Sequence, residues 1–442
     1  MQHNEVVQKL QSNFSTTKNL KESGIPWLGK IPEHWEMTII RSCFDESDVR
    51  CKLENYPLLS VTQEQGIVSQ ENITTKKDVS NDDKGNYKIV PIGGIAYNKM
   101  RMWQGAVGLN EIQEGIVSPA YVVVIPKQHI FSKFALYLFK TPNMIEEFGK
   151  YSYGLCSDMN SLRYEDFQNI SIPLPPLEEQ KAIADFLDKK THQIEEFITK
   201  KQKLIALLEE KKQTLINQCV TQGLDSSTSL KDSGVEWLGK IPTHWEVKKL
   251  KYISKVVLGK MLCNEKQEGY SHCYYLKSKN LQWLNVDISQ VEKMWFSEYE
   301  KSIYRVKKDD LLVSEGGEVG KTCIWNDEIE ECYIQNSVHK ITMDSLNHPR
   351  FFLYVFFVYG KKGVFESIVN RVSIAHLVLE KLVNIDFAVP PLEEQKAIAE
   401  YLDTQIEKID LAICKIKSQI NLIKEYKTTL ISEAVCGRVE GI

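Results

Sequence analysis

The chain has 442 residues, of which 43% are hydrophobic and 26% are charged, and its formal net charge is −4. This composition is ordinary for a soluble globular protein, and the length predicts about two to four domains. The slight acidic excess argues against a strong, non-specific nucleic-acid binder, although a local basic patch is compatible with it. If the ligand is nucleic acid, partner subunits are expected to supply much of the phosphate neutralisation.

Cysteine usage and hydropathy predict a cytoplasmic protein without a membrane segment. The 10 cysteines are scattered, with no CxxC and no Cys/His pair at zinc spacing, so we expect reduced core residues and no metal site. The first residues, MQHNEVVQKL, lack the apolar segment of a secretion signal. The longest apolar run, Phe351–Tyr359, is too short for a bilayer and predicts a buried helix or strand.

After a polar N-terminal tail comes a box that recurs later in the chain. Ser23–Glu36 reads SGIPWLGKIPEHWE and Ser233–Glu246 reads SGVEWLGKIPTHWE, identical at 11 of 14 positions. The Lys-Ile-Pro segment is expected to be extended, because proline disfavours helical backbone in the residue before it. The box tryptophans need burial or a partner, so they either pack the box onto its own domain or dock another subunit: Trp27, Trp35, Trp237 and Trp245.

Two divergent stretches, residues 37–174 and 247–389, follow the boxes and share little obvious identity. Both mix β-rich runs such as Ala120–Ile125 with apolar segments of helical character such as Phe134–Phe139. Each stretch predicts a compact α+β domain, present twice in the chain. Near-identical flanks around divergent centres indicate a fixed frame with exchangeable contents.

A long helix is predicted after each divergent stretch. Pro175–Ala184 and Pro390–Ala399 both read PPLEEQKAIA, in which the prolines and glutamates favour a helix start. Gly223 and Gly437 are suitable helix ends. Each helix spans roughly 40 residues, or about 60 Å.

Apolar residues in alternating steps of four and three predict a coiled-coil seam on both helices. Three lysines interrupt the first seam, and Tyr401 and Tyr426 lie off the second, where partner helices could join. The two helices most simply pair with each other, and the two-fold repeat favours an antiparallel arrangement with the divergent domains at opposite ends of a rod. The interrupting lysines are Lys190, Lys201 and Lys211; the seam residues are Ile183, Leu187, Ile194, Phe197, Leu204, Leu208 and Leu215, then Ile398, Leu402, Ile406, Ile409, Ile413, Ile416, Ile420, Ile423, Leu430 and Ala434.

Two glycine-containing loops carry the most chemistry. Ser314–Thr322, SEGGEVGKT, has only three residues between Gly316 and Gly320, one fewer than a phosphate-binding loop needs, and a strand-like run follows it. We therefore predict a β-turn rather than a nucleotide site. Ala96–Leu109, AYNKMRMWQGAVGL, is the counterpart, rich in side chains that read base edges and bind phosphate; a solvated hairpin is the alternative.

No enzyme constellation is found in the sequence. Methyltransferase, HExxH, GxSxG and full P-loop motifs are absent, and the histidines do not cluster. The Glu-Gln-Lys triplets at Glu179 and Glu394 lie at helix starts, where charged residues form a solvated face. We therefore expect a non-catalytic protein.

The order of these motifs resembles the specificity subunit of type I restriction–modification enzymes. The resemblance runs from about Leu20 to Val439 and depends on the repeated SG-x-x-WLGKIP-x-HWE box and on PPLEEQKAIA after each divergent domain. The loops at residues 100–108 and 314–322 also look like two forms of the target-recognition loop of that family.

The resemblance implies an α+β chain with a pseudo-two-fold internal repeat. Two target recognition domains would each read one half of a bipartite sequence in double-stranded DNA, and an antiparallel coiled coil would set the spacer. Two methylation subunits and the restriction/translocase subunits would be partners, and they would carry S-adenosylmethionine, ATP and Mg²⁺, with no cofactor in this chain. The implied segments are a tail over 1–20, the first recognition domain with its box over 21–174, a helix over 175–222, the second domain over 223–389 and a helix over 390–442.

Candidate contacts follow from the loops, boxes and helix starts. DNA-binding candidates are Asn98, Lys99, Arg101, Trp103, Gln104, Ser118, Ser314, Glu315, Lys321, Gln335 and Asn336. Subunit-docking candidates are the four box tryptophans with Glu179, Gln180, Glu394 and Gln395. The alternative function is a coiled-coil scaffold whose two divergent domains bind proteins.

Overall fold

The computed structural model of the chain describes residues 19–51, 56–72, 84–154, 160–369 and 376–439. The chain forms two compact units, which we call unit 1 (Met1–Gln202 with Lys417–Ile442) and unit 2 (Lys203–Ile416). Each unit contains one box, one divergent domain and a part of each long helix.

In its described residues, unit 1 combines short strands with four short helices and the first long helix. Its strands are β1 Leu20–Glu22, β2 Lys30–Pro32, β3 Glu36–Ile39, β4 Phe44–Ser47, β5 Leu59–Thr62, β6 Gly66–Ser69, β7 Lys88–Val90, β8 Ile95–Asn98, β9 Val107–Leu109, β10 Gly115–Val117, β11 Tyr121–Pro126 and β12 Ser171–Leu174. Its helices are α1 Ile40–Cys43, α2 Ser132–Phe139, α3 Pro142–Lys150, α4 Tyr164–Phe167 and the start of α5 Leu177–Gln222.

Unit 2 repeats this plan. Its strands are β13 Leu230–Asp232, β14 Lys240–Pro242, β15 Glu246–Lys249, β16 Ser254–Leu258, β17 Ser271–Leu276, β18 Leu281–Gln282, β19 Asn285–Val286, β20 Glu292–Phe296, β21 Leu311–Ser314, β22 Thr322–Ile324, β23 Cys332–Ile334, β24 Val338–Met343 and β25 Asp386–Val389. Its helices are α6 Glu298–Tyr304, α7 Pro349–Lys361, α8 Val364–Ile368, α9 Leu379–Leu382 and most of α10 Leu392–Val435, which ends in unit 1.

The central sheets of the two units have the same strand order despite their dissimilar sequences. The order is β4-β11-β8-β9 in unit 1 and β16-β24-β21-β22 in unit 2, antiparallel throughout. The box strands also pair alike, with Leu20 opposite Pro32 and Leu230 opposite Pro242. The periphery differs, since β10 pairs antiparallel with β7 whereas β23 pairs parallel with β17. The prediction of an α+β fold present twice is therefore confirmed.

Aromatic clusters hold the helices of each unit against its sheets. In unit 1 the ring centroid of Phe139 lies 5.6–5.9 Å from those of Phe44, Phe148 and Phe167. In unit 2 the apolar run Phe351–Tyr359 is a fully buried segment of α7, as its composition predicts. Burial of such rings contributes about 1.5–3 kcal/mol for each side chain.

The glutamine of each PPLEEQ motif ties a long helix to the divergent domain beside it. In unit 1 the Phe131 N–H donates to Gln180 Oε1 at 2.7 Å, and Gln180 Nε2 donates to the carbonyls of His129 and Pro175. Both partners at 129–131 lead into α2, so this one buried side chain fixes the angle at which α2 meets α5.

Unit 2 repeats the same arrangement. The His348 N–H donates to Gln395 Oε1 at 2.7 Å, and Gln395 Nε2 donates to the Pro390 carbonyl at 2.8 Å and to Asn347 Oδ1 at 3.3 Å. Both glutamines are fully buried. Since buried amide groups must be satisfied, these residues join helix and domain within each unit.

A second repeated link lies two turns further along each helix. Asp188 of α5 accepts from Tyr137 Oη at 2.6 Å and forms an ion pair with Lys133 at 2.6 Å. Hydrogen bonding to Asp188 raises the pKa of Lys133. Asp403 of α10 accepts in the same way from Tyr354 and Arg350 of α7. The two divergent domains are thus anchored to their helices by equivalent polar contacts.

The long helices pack together in both units, in antiparallel order. In unit 1 Lys427 Nζ lies 2.6 Å from Glu195 Oε1, and in unit 2 Lys212 Nζ lies 2.8 Å from Asp410 Oδ1. As the residue number rises along α5, the residue number of its contact in α10 falls, so the two helices run in opposite directions. Seam residues that are buried are Ile183, Leu187 and Ile194 of α5 and Ile398, Leu402, Ile406, Ile413, Ile416, Ile420, Leu430 and Ala434 of α10.

Some seam positions are more open than the heptad pattern predicts. Leu204 and Phe197 of α5 are each 40% exposed, and Leu208, Leu215, Ile409 and Ile423 are half-buried. Leu204 and Phe197 flank Lys201, in the stretch of α5 where the sequence predicts an interrupted seam. The interrupting lysines explain this, because charged side chains near the middle of α5 keep that stretch in contact with solvent.

We predict that Gln395→Leu destabilises the chain. The change leaves the part-buried His348 N–H without its acceptor and the buried Pro390 carbonyl without its donor, which costs about 1–3 kcal/mol. The free energy of unfolding of the full chain, measured by urea denaturation, is the test. Lys396→Ala is the matched control, because that side chain is exposed and surface changes stay within about 0.5 kcal/mol. Equal losses in the two variants would contradict the structural role of Gln395.

Candidate nucleic-acid interface

The two candidate loops occupy the same place in the two central sheets. The first connects β8 to β9 and the second connects β21 to β22. In unit 1 the loop begins after Asn98, which pairs with Tyr121, the first residue of β11. In unit 2 it begins after Ser314, which pairs with Val338, the first residue of β24. Both loops therefore lie at the same end of their sheets. A three-residue connection, residues 118–120 or 335–337, lies beside each loop.

Three backbone hydrogen bonds hold the unit 1 loop. The Asn98 N–H donates to the Ala106 carbonyl at 3.0 Å and closes the base of the loop. The Lys99 N–H donates to the Ala120 carbonyl at 3.3 Å, and the Lys99 carbonyl accepts from the Leu162 N–H at 2.9 Å. The loop is therefore positioned through its main chain.

The unit 2 loop is held by the equivalent three bonds. The Ser314 N–H donates to the Lys321 carbonyl at 2.8 Å. The Glu315 N–H donates to the Ser337 carbonyl at 2.9 Å, and the Glu315 carbonyl accepts from the Leu377 N–H at 2.8 Å. Because the main chain carries the positioning in both units, the side chains at these positions can differ without changing the loop.

The unit 1 loop presents a short row of polar and aromatic side chains. Asn98 Oδ1 accepts from the Met100 N–H at 3.0 Å, and Trp103 Nε1 donates to the Met100 carbonyl at 2.9 Å. Arg101 is exposed, while the adjacent Met102 is fully buried and anchors the turn. The side chain of Arg101 is thus displayed on a loop that is itself fixed.

Other unit 1 candidates lie around this row. Gln104 is exposed and accepts from Gln63 Nε2 at 3.0 Å. Ser118, half-buried, lies on the neighbouring connection. Lys99 lines a cavity of about 250 Å³ together with Arg163, which the sequence interpretation missed. Arg163 lies far from the loop in sequence, and its segment, SLRYEDF at residues 161–167, has one basic and two acidic side chains and no motif that marks a DNA contact.

In the unit 2 loop several polar side chains bond to groups of their own unit. Ser314 is only 1% exposed, and its hydroxyl donates to the Gly316 carbonyl at 2.7 Å. This is a correction, because a buried hydroxyl that closes its own loop is unable to reach DNA. Lys321 Nζ forms an ion pair with Glu318 at 2.8 Å, and Trp283 Nε1 also donates to Glu318.

The remaining unit 2 candidates lie together. Glu315 is half-buried; partial burial raises the pKa of its carboxyl group, and the charge of His376 partly offsets that rise. Gln335 and Asn336 are also half-buried and lie on the adjacent connection, where Gln335 Oε1 accepts from the Ser337 N–H at 3.2 Å. The strand β22 follows this loop directly, as expected for a β-turn and unlike a nucleotide-binding loop.

Four of the subunit-docking candidates are buried inside their own units. Trp35, Trp245, Gln180 and Gln395 are each 0% exposed. These assignments are wrong, because a side chain enclosed by its own unit is unavailable to a partner. The interpretation in which tryptophans pack the box onto its own domain holds for Trp35 and Trp245.

The other docking candidates are partly accessible. Trp27 and Trp237 are half-buried and pack against the cores of their units. Glu179 accepts from Trp35 Nε1 at 3.0 Å, and its other carboxylate oxygen lies 2.6 Å from His34 Nε2. Glu394 lies 2.8 Å from His244 in the same way. The glutamates of PPLEEQ therefore clasp the box to the helix start.

Neither a membrane helix nor a metal cluster is found in the parts of the chain that the structure describes. No helix there is long and apolar enough to cross a bilayer. No group of three or more His, Cys, Asp or Glu side chains in those same ranges could hold a metal ion.

The comparisons with known proteins agree with this arrangement. The profile of the type I restriction modification DNA specificity domain matches residues 41–207 and 242–422. A putative type I restriction enzyme MjaX specificity subunit of Methanocaldococcus jannaschii is 26% identical, over 95% of this chain and 96% of its own length. The EcoKI specificity subunit of Escherichia coli is 25% identical over 43% of this chain and 39% of its own.

Solved structures share the fold. A chain from a type I restriction–modification system, studied for its complex assembly and conformational transition, matches with a TM-score of 0.71 over 92% of this chain and 99% of that one, at 14% identity. The HsdS subunit of Thermoanaerobacter tengcongensis matches with a TM-score of 0.56 over 92% and 98%, at 15% identity.

The chain belongs to the type I restriction modification DNA specificity family, with the family domain present twice. It is a DNA specificity subunit with two target recognition domains, one in each unit.

We predict that Gly320→Ala disturbs the unit 2 loop more than Gly317→Ala does. Both glycines have left-handed backbone, with φ of +77° and +74°, so each change costs roughly 1–2 kcal/mol of strain. A Cβ at Gly320 would lie 2.1 Å from Phe365 Cδ2, whereas one at Gly317 meets no atom within 4 Å. We expect Gly320→Ala to lose about 1–3 kcal/mol more in urea unfolding. Equal losses would show that the loop does not pack on Phe365 as described.

Proposed function

We propose that this chain reads a bipartite, asymmetric sequence in double-stranded DNA, and that each target recognition domain reads one half. The observation that carries the proposal is the pair of equivalent loops at the same end of two matching sheets. They have the same backbone hydrogen bonds but different side chains. A frame that stays constant while its exposed side chains differ is what two different half-sites require.

The side chains on these loops suit DNA recognition. In unit 1 the exposed Arg101 and Gln104 are donors of the kind that read guanine and adenine edges, and Trp103 adds a stacking surface. In unit 2 Glu315, Gln335 and Asn336 form the corresponding set, with Lys321 beside them. Ser314 is left out of this set because its hydroxyl is buried.

We propose that the paired helices set the spacer between the half-sites and dock two methylation subunits. In unit 2, α5 and α10 leave a groove of about 330 Å³ whose lining includes Leu208, Tyr401 and Ile409. Leu207 and Leu411 nearby are 61% and 53% exposed. The lining also includes Lys211, Gln405 and Lys408, and a groove that mixes apolar and basic side chains on a helix pair fits an amphipathic helix from a partner.

Catalysis is assigned to the partners in this proposal. The chain itself is a non-catalytic recognition subunit, and methylation and restriction/translocase subunits carry S-adenosylmethionine, ATP and Mg²⁺. The net charge of −4 agrees with a clamp in which partners supply most of the cationic surface around DNA.

The direct test is a genome-wide map of adenine methylation in the source cells, with and without the gene. We expect one bipartite methylated motif to vanish when the gene is deleted. Replacing residues 37–174 with the corresponding domain of a relative should then change one half of the motif and leave the other half intact. A change in both halves, or a map unaffected by deletion, would contradict the proposal.

We predict that Arg101→Ala weakens specific DNA binding by about 1–3 kcal/mol if Arg101 contacts a base edge. Arg101 is exposed on a loop fixed by backbone bonds, so its loss should not affect folding. The measurement is the dissociation constant of the assembled complex for its motif and for an unrelated duplex. Arg41→Ala is the control, because that exposed residue precedes β4, at the opposite end of the sheet. Unchanged affinity in Arg101→Ala would place Arg101 outside the interface.

A further inference from the structure

Lys99 and Glu315 occupy the same structural position in the two units. Each is the first residue after the strand that leads into its recognition loop, β8 or β21. Each donates its N–H to the last residue of the neighbouring three-residue connection and accepts from a leucine N–H at its carbonyl. Both side chains are half-buried. The main-chain hydrogen bonds of the two residues are therefore equivalent, whereas their side chains carry opposite charges.

The charged groups around the two side chains also differ between the units. Lys99 lines a cavity whose lining also includes two acidic residues, Glu46 and Glu165, and the basic Arg163. Glu315 lies near His376, and its neighbour Gly316 forms a backbone bridge with that residue. Each unit thus accommodates its own charge at this position.

We infer that Lys99 and Glu315 are specificity-determining residues at one equivalent base position in each half-site: Lys99 selects guanine and Glu315 selects cytosine. This inference depends on the proposed function, since it assumes that the two loops face DNA.

The reversed charge indicates that this position faces base edges rather than the phosphate backbone. Phosphates are negative everywhere along the duplex, so a position that faced them would tolerate Lys99 but would repel Glu315. Base edges in the major groove differ from pair to pair, so a position that faces them can carry either sign. The same location can therefore carry a cation in one unit and a carboxylate in the other.

The choice of bases follows from donors and acceptors. The ammonium of Lys99 has three donors and no acceptor, and guanine presents two acceptors, N7 and O6, side by side. The carboxylate of Glu315 only accepts, and cytosine presents the N4 amino donor. Adenine presents an N7 acceptor next to its amino group, which would repel the carboxylate.

For the test, the full-length chain is purified from source cells together with the subunits bound to it. This complex is then mixed with duplex DNA of random sequence. Bound duplexes are sequenced for the natural chain and for Lys99→Glu, Lys99→Gln, Glu315→Lys and Glu315→Gln. Lys127→Gln and Glu330→Gln are matched controls. Lys127 follows β11 and Glu330 lies between β22 and β23, both at the sheet end away from the loops. Thermal melting of each variant checks that it is folded.

We expect each charge reversal to change one base of the motif in one half-site only. Glu315→Lys should replace a cytosine preference by guanine, and Lys99→Glu should do the reverse in the other half. The preference should change by roughly tenfold or more at that position. Glu315→Gln and Lys99→Gln, which are less disruptive, should relax or shift the same positions, and the controls should keep the natural motif.

Several results would overturn the inference. One is an unchanged motif in folded variants of both positions, which would leave the proposed function standing. Another is a uniform loss of affinity for all sequences, which would assign the residues to phosphate contact or loop support. If the natural complex enriches no motif at all, the proposed function itself fails, and the inference fails with it.

Discussion

The start of each long helix is the point on which the rest of each unit depends. Within PPLEEQ the glutamate clasps the box, through His34 and Trp35 in unit 1, and the buried glutamine holds the segment that leads into the domain helix. Box, recognition domain and helix therefore meet in one turn. Because buried polar groups are costly when left unpaired, a change there breaks several contacts at once. The glutamate and the glutamine of PPLEEQ therefore have the same roles in both halves of the chain, while the domains between them diverge.

The divergent domains keep one architecture because main-chain bonds, rather than particular side chains, position their loops. The sheets share strand order and pairing direction, and the loops share three backbone hydrogen bonds. Main-chain bonds are available to almost any residue, so Lys99 and Glu315 can occupy one position. The side chains of the two loops can therefore differ without loss of the fold.

Sequence reasoning was accurate where the signal was local or periodic, and failed where it depended on partners distant in the chain. Heptad spacing predicts the seam between the helices. The PPLEEQ motif predicts where each long helix begins, and the following glycine predicts where it ends, close to Gln222 and Val435. The sequence predicts Gln180 as a docking residue, yet its side chain binds Phe131, which lies 49 residues away in the chain. Similarly, the sequence predicts Ser314 as a DNA-binding residue because it lies in a polar loop, but its hydroxyl donates to the Gly316 carbonyl within that loop. No spacing rule shows which member of a polar motif becomes enclosed.

The sequence by itself determined the repeat, the α+β class, the long paired helices and the resemblance to a DNA specificity subunit. These depend on local patterns, such as apolar periodicity and helix-start chemistry, which are written in neighbouring residues. Only the tertiary structure decided that the two sheets match, that Trp35 and Gln180 are internal, and that Lys99 and Glu315 share one position. The physical reason is that burial and hydrogen-bond partners are set by contacts between distant segments, and these exist only once the chain has folded.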